Sequence, residues 1–206
     1  MPQTHTVTTY QFDELDEKGK EKARDWWREQ SEAYQDDLEF TLEDAAECAR
    51  ILGITLDTHG VPLMNGKTLR KPSIWWSGFA SQGDGACFEG AYSLAPDAPA
   101  EIREHAPQDA ELHRIADELA GVADKDATAK ITHRGHYYHE HSMDIEIDVC
   151  DDETSEAIHN AMVDFARWIY DALEAENDWR NADEQVDENI RANEYEFYAD
   201  GRRAVC

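Results

Sequence analysis

The sequence predicts an α+β fold in which helices cover one face of a mostly antiparallel sheet, as a single compact domain over residues 1–206. Three observations carry this expectation. Strand-like runs are joined by tight turns of Gly, Asn and Pro rather than by crossover helices, which argues against a parallel sheet. Other segments carry apolar residues at helical spacing, bracketed by capping residues and stops. Finally, 206 residues that are 41% hydrophobic, with 6 Trp, 8 Tyr and 6 Phe, suffice for one sizeable core, and no linker or internal repeat divides them.

Taken in order, residues 4–10 alternate β-branched and polar side chains and open the chain as a strand. Asp16 then caps a helix that carries Ala23, Trp26, Trp27 and Gln30 on one side. Within it Gly19 costs about 1 kcal/mol relative to Ala. In the next helix Thr41 and Asp44 resemble a capping box, Leu42, Ala45, Ala46, Ala49 and Leu52 form a stripe, and Gly53 supplies the stop. Ile54–Leu56 reads as a short strand. Three turn signals follow, His59-Gly60, Asn65-Gly66 and Lys71-Pro72, so residues 57–72 are expected to form a protruding loop or small hairpin holding Lys67, Arg70 and Lys71.

Two central strands, 73–80 and 86–93, flank a turn rich in Gly, Gln and Asp, and Pro96 and Pro99 end this sheet segment. Pro107 suits the first position of a helix buried through Leu112, Ile115, Ala116 and Leu119 and stopped at Gly121. Residues 128–133 turn through Arg134-Gly135 into a long strand over 138–149. The longest helix is capped by Asp152 or Thr154, repeats Ile158, Met162, Phe165, Ile169 and Leu173, and runs to about residue 177. A short helix at 183–192 and a strand at 195–198 close the chain.

Electrostatics narrows the function classes. The formal charge is −27, which repels nucleic-acid phosphates and anionic lipid heads, so neither direct nucleic-acid nor membrane binding is expected and a basic protein is the favoured partner. No apolar run approaches the ~18 residues needed to span a bilayer, and the first residues lack an export signal, which predicts a cytoplasmic protein. Cys48, Cys87, Cys150 and Cys206 are scattered singly, as free thiols in a reducing compartment would be.

The charge is uneven: residues 140–200 carry a net −17, the other 145 residues a net −10. On the predicted long strand Glu140, Ser142, Asp144, Glu146 and Asp148 share one face, with carboxylates roughly 6.5 to 7 Å apart. The outer side of the following helix adds Glu153, Glu156, Asp164 and Asp171, together with Glu174. Such a regular row suits imitation of nucleic-acid phosphates in a basic groove. A solvated face, or adaptation to high salt with 7 Lys against 12 Arg, is the competing reading.

The other constellations point away from catalysis. His133, His139 and His141 are the candidate metal ligands, and i, i+2 spacing on a strand can direct two imidazoles at one ion. That face continues as Met143, Ile145 and Ile147, however, so the histidines are expected to be packed and hydrogen-bonded, with no metal or other cofactor. Gln82 and Asp84 sit in a Gly-rich turn that leads into a strand instead of a helix, unlike a phosphate cradle; they are loop candidates only. Cys87 and Glu89 share a strand face with no histidine placed beside them, so a thiol nucleophile is unsupported. No catalytic residue is assigned.

Thr6-Val-Thr-Thr-Tyr-Gln-Phe-Asp-Glu-Leu15, the Ser81-x-Gly-Asp-Gly-Ala-x-Phe-Glu-Gly90 core and Ile190-Arg-Ala-Asn-Glu-Tyr-Glu-Phe197 together resemble a family of phage and prophage proteins labelled antitoxins of toxin-antitoxin stability systems. The resemblance covers nearly the whole chain, with 58–73 as an addition to the usual pattern. It implies an accessory protein of mobile elements acting in a host cell. With the acidic face, it suggests an anti-CRISPR or antirestriction type of inhibitor that neutralises a nucleic-acid-binding defence component. An antitoxin that sequesters a toxin, and a small metal-dependent hydrolase using the His133 to His141 cluster, are the alternatives.

Overall fold

A computed structural model describes residues 7–31, 38–149 and 151–204 of the chain. It contains α1 (Glu17–Ser31), α2 (Glu39–Ile51), α3 (Ala98–His105), α4 (Ala110–Ala120), α5 (Asp152–Asn181) and α6 (Asp183–Ala192). The strands are β1 (Tyr10–Gln11), β2 (Ile54–Leu56), β3 (Thr58–Pro62), β4 (Thr68–Pro72), β5 (Ile74–Trp76), β6 (Ala86–Phe88), β7 (Gly90–Ser93), β8 (Thr128–His133), β9 (Met143–Asp148) and β10 (Glu196–Phe197). All strand pairs are antiparallel, giving the expected α+β architecture. Two compact units result: Met1–Leu38 with Ala175–Cys206, and Glu39–Glu174.

In the first unit β1 pairs with β10, aligning Tyr10 with Phe197. The predicted strand at 4–10 contributes only Tyr10 to it, and 4–6 lie outside the described residues. Asp16 caps α1 as expected, accepting from Gly19 N at 2.7 Å. Phe12, Leu15, Ala23, Val186, Ile190 and Phe197 make a small core flanked by Trp26, Trp27 and Tyr195. Over it, Arg24 forms a two-pronged bond to Asp187 at 2.7 and 2.9 Å, with little of either side chain in water. Such a planar match is stronger than a single surface contact.

In the second unit the main sheet runs β2-β7-β8-β9, and β3-β4 and β5-β6 are separate two-stranded sheets. The predicted strand 73–80 stops at Trp76, and 86–93 is broken at Glu89. The breaks at Ser73 and Glu89 come from a closed ring of backbone bonds: Ser73 N to Asp57 O (2.8 Å), Asp57 N to Glu89 O (2.9 Å), and Glu89 N to Ser73 O (3.0 Å). Each of these residues lies at a change of sheet, between β4 and β5, β2 and β3, and β6 and β7 respectively. Three chains leave one sheet and enter another without stranding an amide, as a buried backbone requires.

Other boundaries shift for local reasons. The hairpin expected at 57–72 is β3-β4, turned at Asn65-Gly66. α2 begins at Glu39, ahead of the Thr41 and Asp44 capping pair, and Asp44 lies 2.8 Å from His105 Nε2 instead; its stop is Gly53, with φ +84°. Pro99 does not merely end a strand: it sits in the first turn of α3, a helix the sequence did not predict. α4 starts at Ala110, not Pro107, with Asp109 accepting from Leu112 N at 2.9 Å. Similarly Asp151, neither Asp152 nor Thr154, caps α5 by accepting from Thr154 N at 2.8 Å, and the helix extends to Asn181.

The core expected of α5 is present: Ile158, Met162, Phe165, Ile169 and Leu173 are fully buried, and the Phe165 ring meets Phe88 of β6 edge-on at 5.5 Å. Leu112, Ile115, Ala116 and Leu119 of α4 are buried as well. Burial of each large side chain stabilises the fold by roughly 1.5 to 3 kcal/mol. Among the described residues, no helix is long and apolar enough to cross a membrane.

Candidate functional site

A densely hydrogen-bonded part of the second unit is the turn from His133 to Ser142, seated on the Ser77 to Gly90 segment. The long strand predicted over 138–149 is shortened to β9, and Glu140–Ser142 form a single turn of 3-10 helix. Side chains take the backbone partners a longer β8-β9 ladder would have used. His139 Nδ1 accepts from His141 N at 3.2 Å, Ser142 Oγ accepts from His139 N at 3.2 Å, and the Ser142 hydroxyl donates to His139 O at 2.7 Å. Local bonds of this kind compete with secondary structure.

Two predicted groupings are thereby corrected. Glu140 and Ser142 leave the carboxylate row, which on β9 is only Asp144, Glu146 and Asp148. His139 and His141 do not share a strand face ahead of Met143, yet the 3-10 turn still brings their rings together, with centroids 5.2 Å apart. His133 is not with them: its Nε2 lies 3.0 Å from Tyr137 O, and its backbone N donates to Glu89 Oε1 at 3.2 Å. Glu140 takes its place, 3.0 Å from His139 Nδ1. The spacing of His139, Glu140 and His141 was visible, but a strand reading put Glu140 on the opposite face.

The glycine-rich segment is the seat of this turn. A Cβ on Gly85 would lie 3.0 Å from His139 Cα and from its ring carbon Cδ2, so any side chain there would press the turn outward by a few tenths of an ångström. Trp75 stacks against Tyr138 at 5.9 Å and against His59 at 4.2 Å. Asp84 is consumed by its own loop, accepting from Ala80 N at 2.9 Å and Ser81 N at 2.6 Å, while Gln82 is exposed. Burial pushes the Cys87 thiol up to about 12, leaving it protonated and unreactive at neutral pH.

Beyond Glu140 an ion-pair chain crosses to α4. Arg167 donates to Glu140 Oε1 at 3.3 Å and to Asp164 Oδ1 at 3.1 Å; Arg114 donates to Asp164 Oδ2 at 2.6 Å and Glu118 Oε1 at 2.7 Å. Arg114 also binds Glu111 and holds its carboxyl below the usual range. Arg114, Glu118, His141, Asn160, Asp164 and Arg167 line a groove of about 630 Å³ over α5. No local motif announces Arg114 and Arg167, which are far apart in sequence and meet only through helix packing.

The acidic candidates therefore divide. Glu140 and Asp164 are partly buried and neutralised by arginine, and Asp144 pairs with Arg134 at 2.6 Å. Glu146, Asp148, Glu153, Glu156 and Asp171 are exposed. Partial burial raises the Asp171 carboxyl; Arg167 opposes this and the charges of Glu140 and Glu111 add to it. A second histidine group, Asp44, Cys48 and His105, has its ligand atoms close together, but burial pushes the Cys48 thiol up to about 12.

Residues 38–183 match a family described as a domain of unknown function, DUF8835. No curated protein and no solved structure matches the chain.

Proposed function

We propose that this chain, which belongs to the DUF8835 family, is a binding protein whose acidic β9-α5 junction engages and neutralises a basic partner by imitating nucleic-acid phosphates. One observation supports the reading above the rest. Between Glu146 and Glu156 six carboxylates, Glu146, Asp148, Asp151, Asp152, Glu153 and Glu156, are all exposed, and none is ion-paired among the described residues. The positive end of the α5 dipole explains Asp151, Asp152 and Glu153 as helix-stabilising charges. Asp148 and Glu156 have no such structural role, Glu146 faces only Lys130 across the β8-β9 ladder without an ion pair, and a cationic surface would relieve the repulsion among the six.

With the resemblance to phage proteins, the partner class is a nucleic-acid-binding defence component; a basic toxin would use the same surface. The test is affinity capture from nuclease-treated, phage-infected host cells, followed by binding of the recovered basic protein in the presence of DNA or RNA. Nucleic acid should compete, salt should weaken the complex, and the triple variant E146K, D148K, E156K should abolish it. Recovery of no partner, or binding indifferent to charge reversal, overturns the proposal. Rescue of cells from the partner's toxicity would assign it as a toxin, and stability rising toward molar salt with no partner would assign the acidity to salt adaptation.

A further inference from the structure

We infer that His139, Glu140 and His141 bind a divalent transition-metal ion of the zinc class, independently of the acidic surface above. A ring nitrogen from each histidine and a carboxylate oxygen of Glu140 lie within 4.8 Å of one another, and the His139 Nδ1 to Glu140 Oε2 distance is 3.0 Å. Donors around a tetrahedral zinc at its usual 2.0 to 2.1 Å stand about 3.3 Å apart, so side-chain rotation closes the set, with the ion replacing the His141 N–H that His139 Nδ1 accepts in the free chain. The two imidazoles are borderline donors suited to zinc rather than to magnesium or calcium, which take oxygen, and a carboxylate is a usual third ligand of zinc.

The surroundings orient these donors. Ser142 fixes the His139 backbone by two hydrogen bonds, and Gly85 lets the His139 ring settle against the β6 end of the hairpin. Arg167 holds the second oxygen of Glu140, Oε1, at 3.3 Å, leaving Oε2 toward His139. Partners of this kind fix ligand direction and are worth tenfold or more in metal affinity. A simple His139–Glu140 ion pair would explain neither the adjacency of a second imidazole nor the groove. Three protein ligands leave a coordination position open, and because His141 and Arg167 also line the groove, the ion would sit at its rim with an arginine beside it for an anionic ligand.

The test uses the full chain, freed of metal with a chelator, and titrates zinc and then cobalt by calorimetry near neutral pH. One equivalent should bind, with cobalt giving the ligand-field absorption of a four-coordinate ion. His141 is exposed, so H141A should leave the circular dichroism spectrum unchanged while weakening zinc binding about tenfold or more and erasing the cobalt bands. H139A should do the same to binding, and H105A, at the other histidine group, should do nothing. Equal zinc affinity in the wild type and H141A, or only non-stoichiometric binding in both, overturns the site.

Discussion

From Thr58 to Gly83 the chain runs for 26 residues without an acidic side chain, and from Gly135 to Ala166 it runs for 32 without Lys or Arg. The first stretch makes β3, β4, β5 and most of the glycine-rich loop; the second makes the histidine turn, β9 and the first half of α5. They solve opposite problems. The acid-free stretch holds its place by backbone bonds at Ser73 and by aromatic stacking at Trp75, Trp76 and Phe79. In the cation-free stretch the α5 core residues do the holding; Glu140 and Asp164 are paired with arginines from outside the stretch, and the carboxylates from Glu146 to Glu156 are left on the surface. Sequence-local charge segregation thus separates a seat from a face: one is intolerant of backbone change, the other tolerant of it and sensitive to charge.

That contrast can be broken by placing proline in each. Ser73→Pro removes the amide that donates to Asp57 O and should cost about 2 to 3 kcal/mol, because proline at buried Ser73 opens the ring of backbone bonds. Asp152→Pro falls at the first helical residue of α5, where proline is well accommodated, and should change stability by less than about 0.5 kcal/mol. Urea unfolding of the pair decides it; equal losses would mean the two regions do not differ as described.

A smaller effect is expected just past the acid-free stretch, where the glycine-rich segment meets the histidine turn. Gly85→Ala puts a methyl group 3.0 Å from His139 Cα and should cost about 1 to 2 kcal/mol by overpacking. It should also shift the His139 and His141 ring signals in NMR spectra more than those of His105. Unshifted signals would show that the glycine-rich segment does not seat the turn.

Smallest is a pH effect at Asp171. Its folded-state carboxyl is raised by burial, so ionisation weakens the fold at neutral pH, and that penalty fades as pH falls through the folded-state value. Asp171→Asn should therefore add no more than a few tenths of a kcal/mol at neutral pH, since the group is exposed, and the gain should shrink in acid. A gain that grew on acidification would reverse the assignment.

What could be read in advance follows the range of the forces involved. The α5 stripe, the β3-β4 hairpin and α6 were legible because each is set by neighbours a few residues away. α3 is not legible because Pro96 and Pro99 suit a strand stop as well as they suit a helix's first turn. Glu140 was misplaced because alternation along a strand was continued through residues whose side chains close a 3-10 turn.

By itself, then, the amino-acid sequence determined the α+β class, the buried faces of α4 and α5, and the concentration of negative charge in the last third, all of which depend on local periodicity or composition. Only the tertiary structure decided that Asp57, Ser73 and Glu89 meet in one ring, that Gly85 faces His139, and that Arg167 bridges Glu140 to Asp164. These contacts join residues far apart in the chain, and burial, which demands a partner for each polar group, selects them only once the elements have packed.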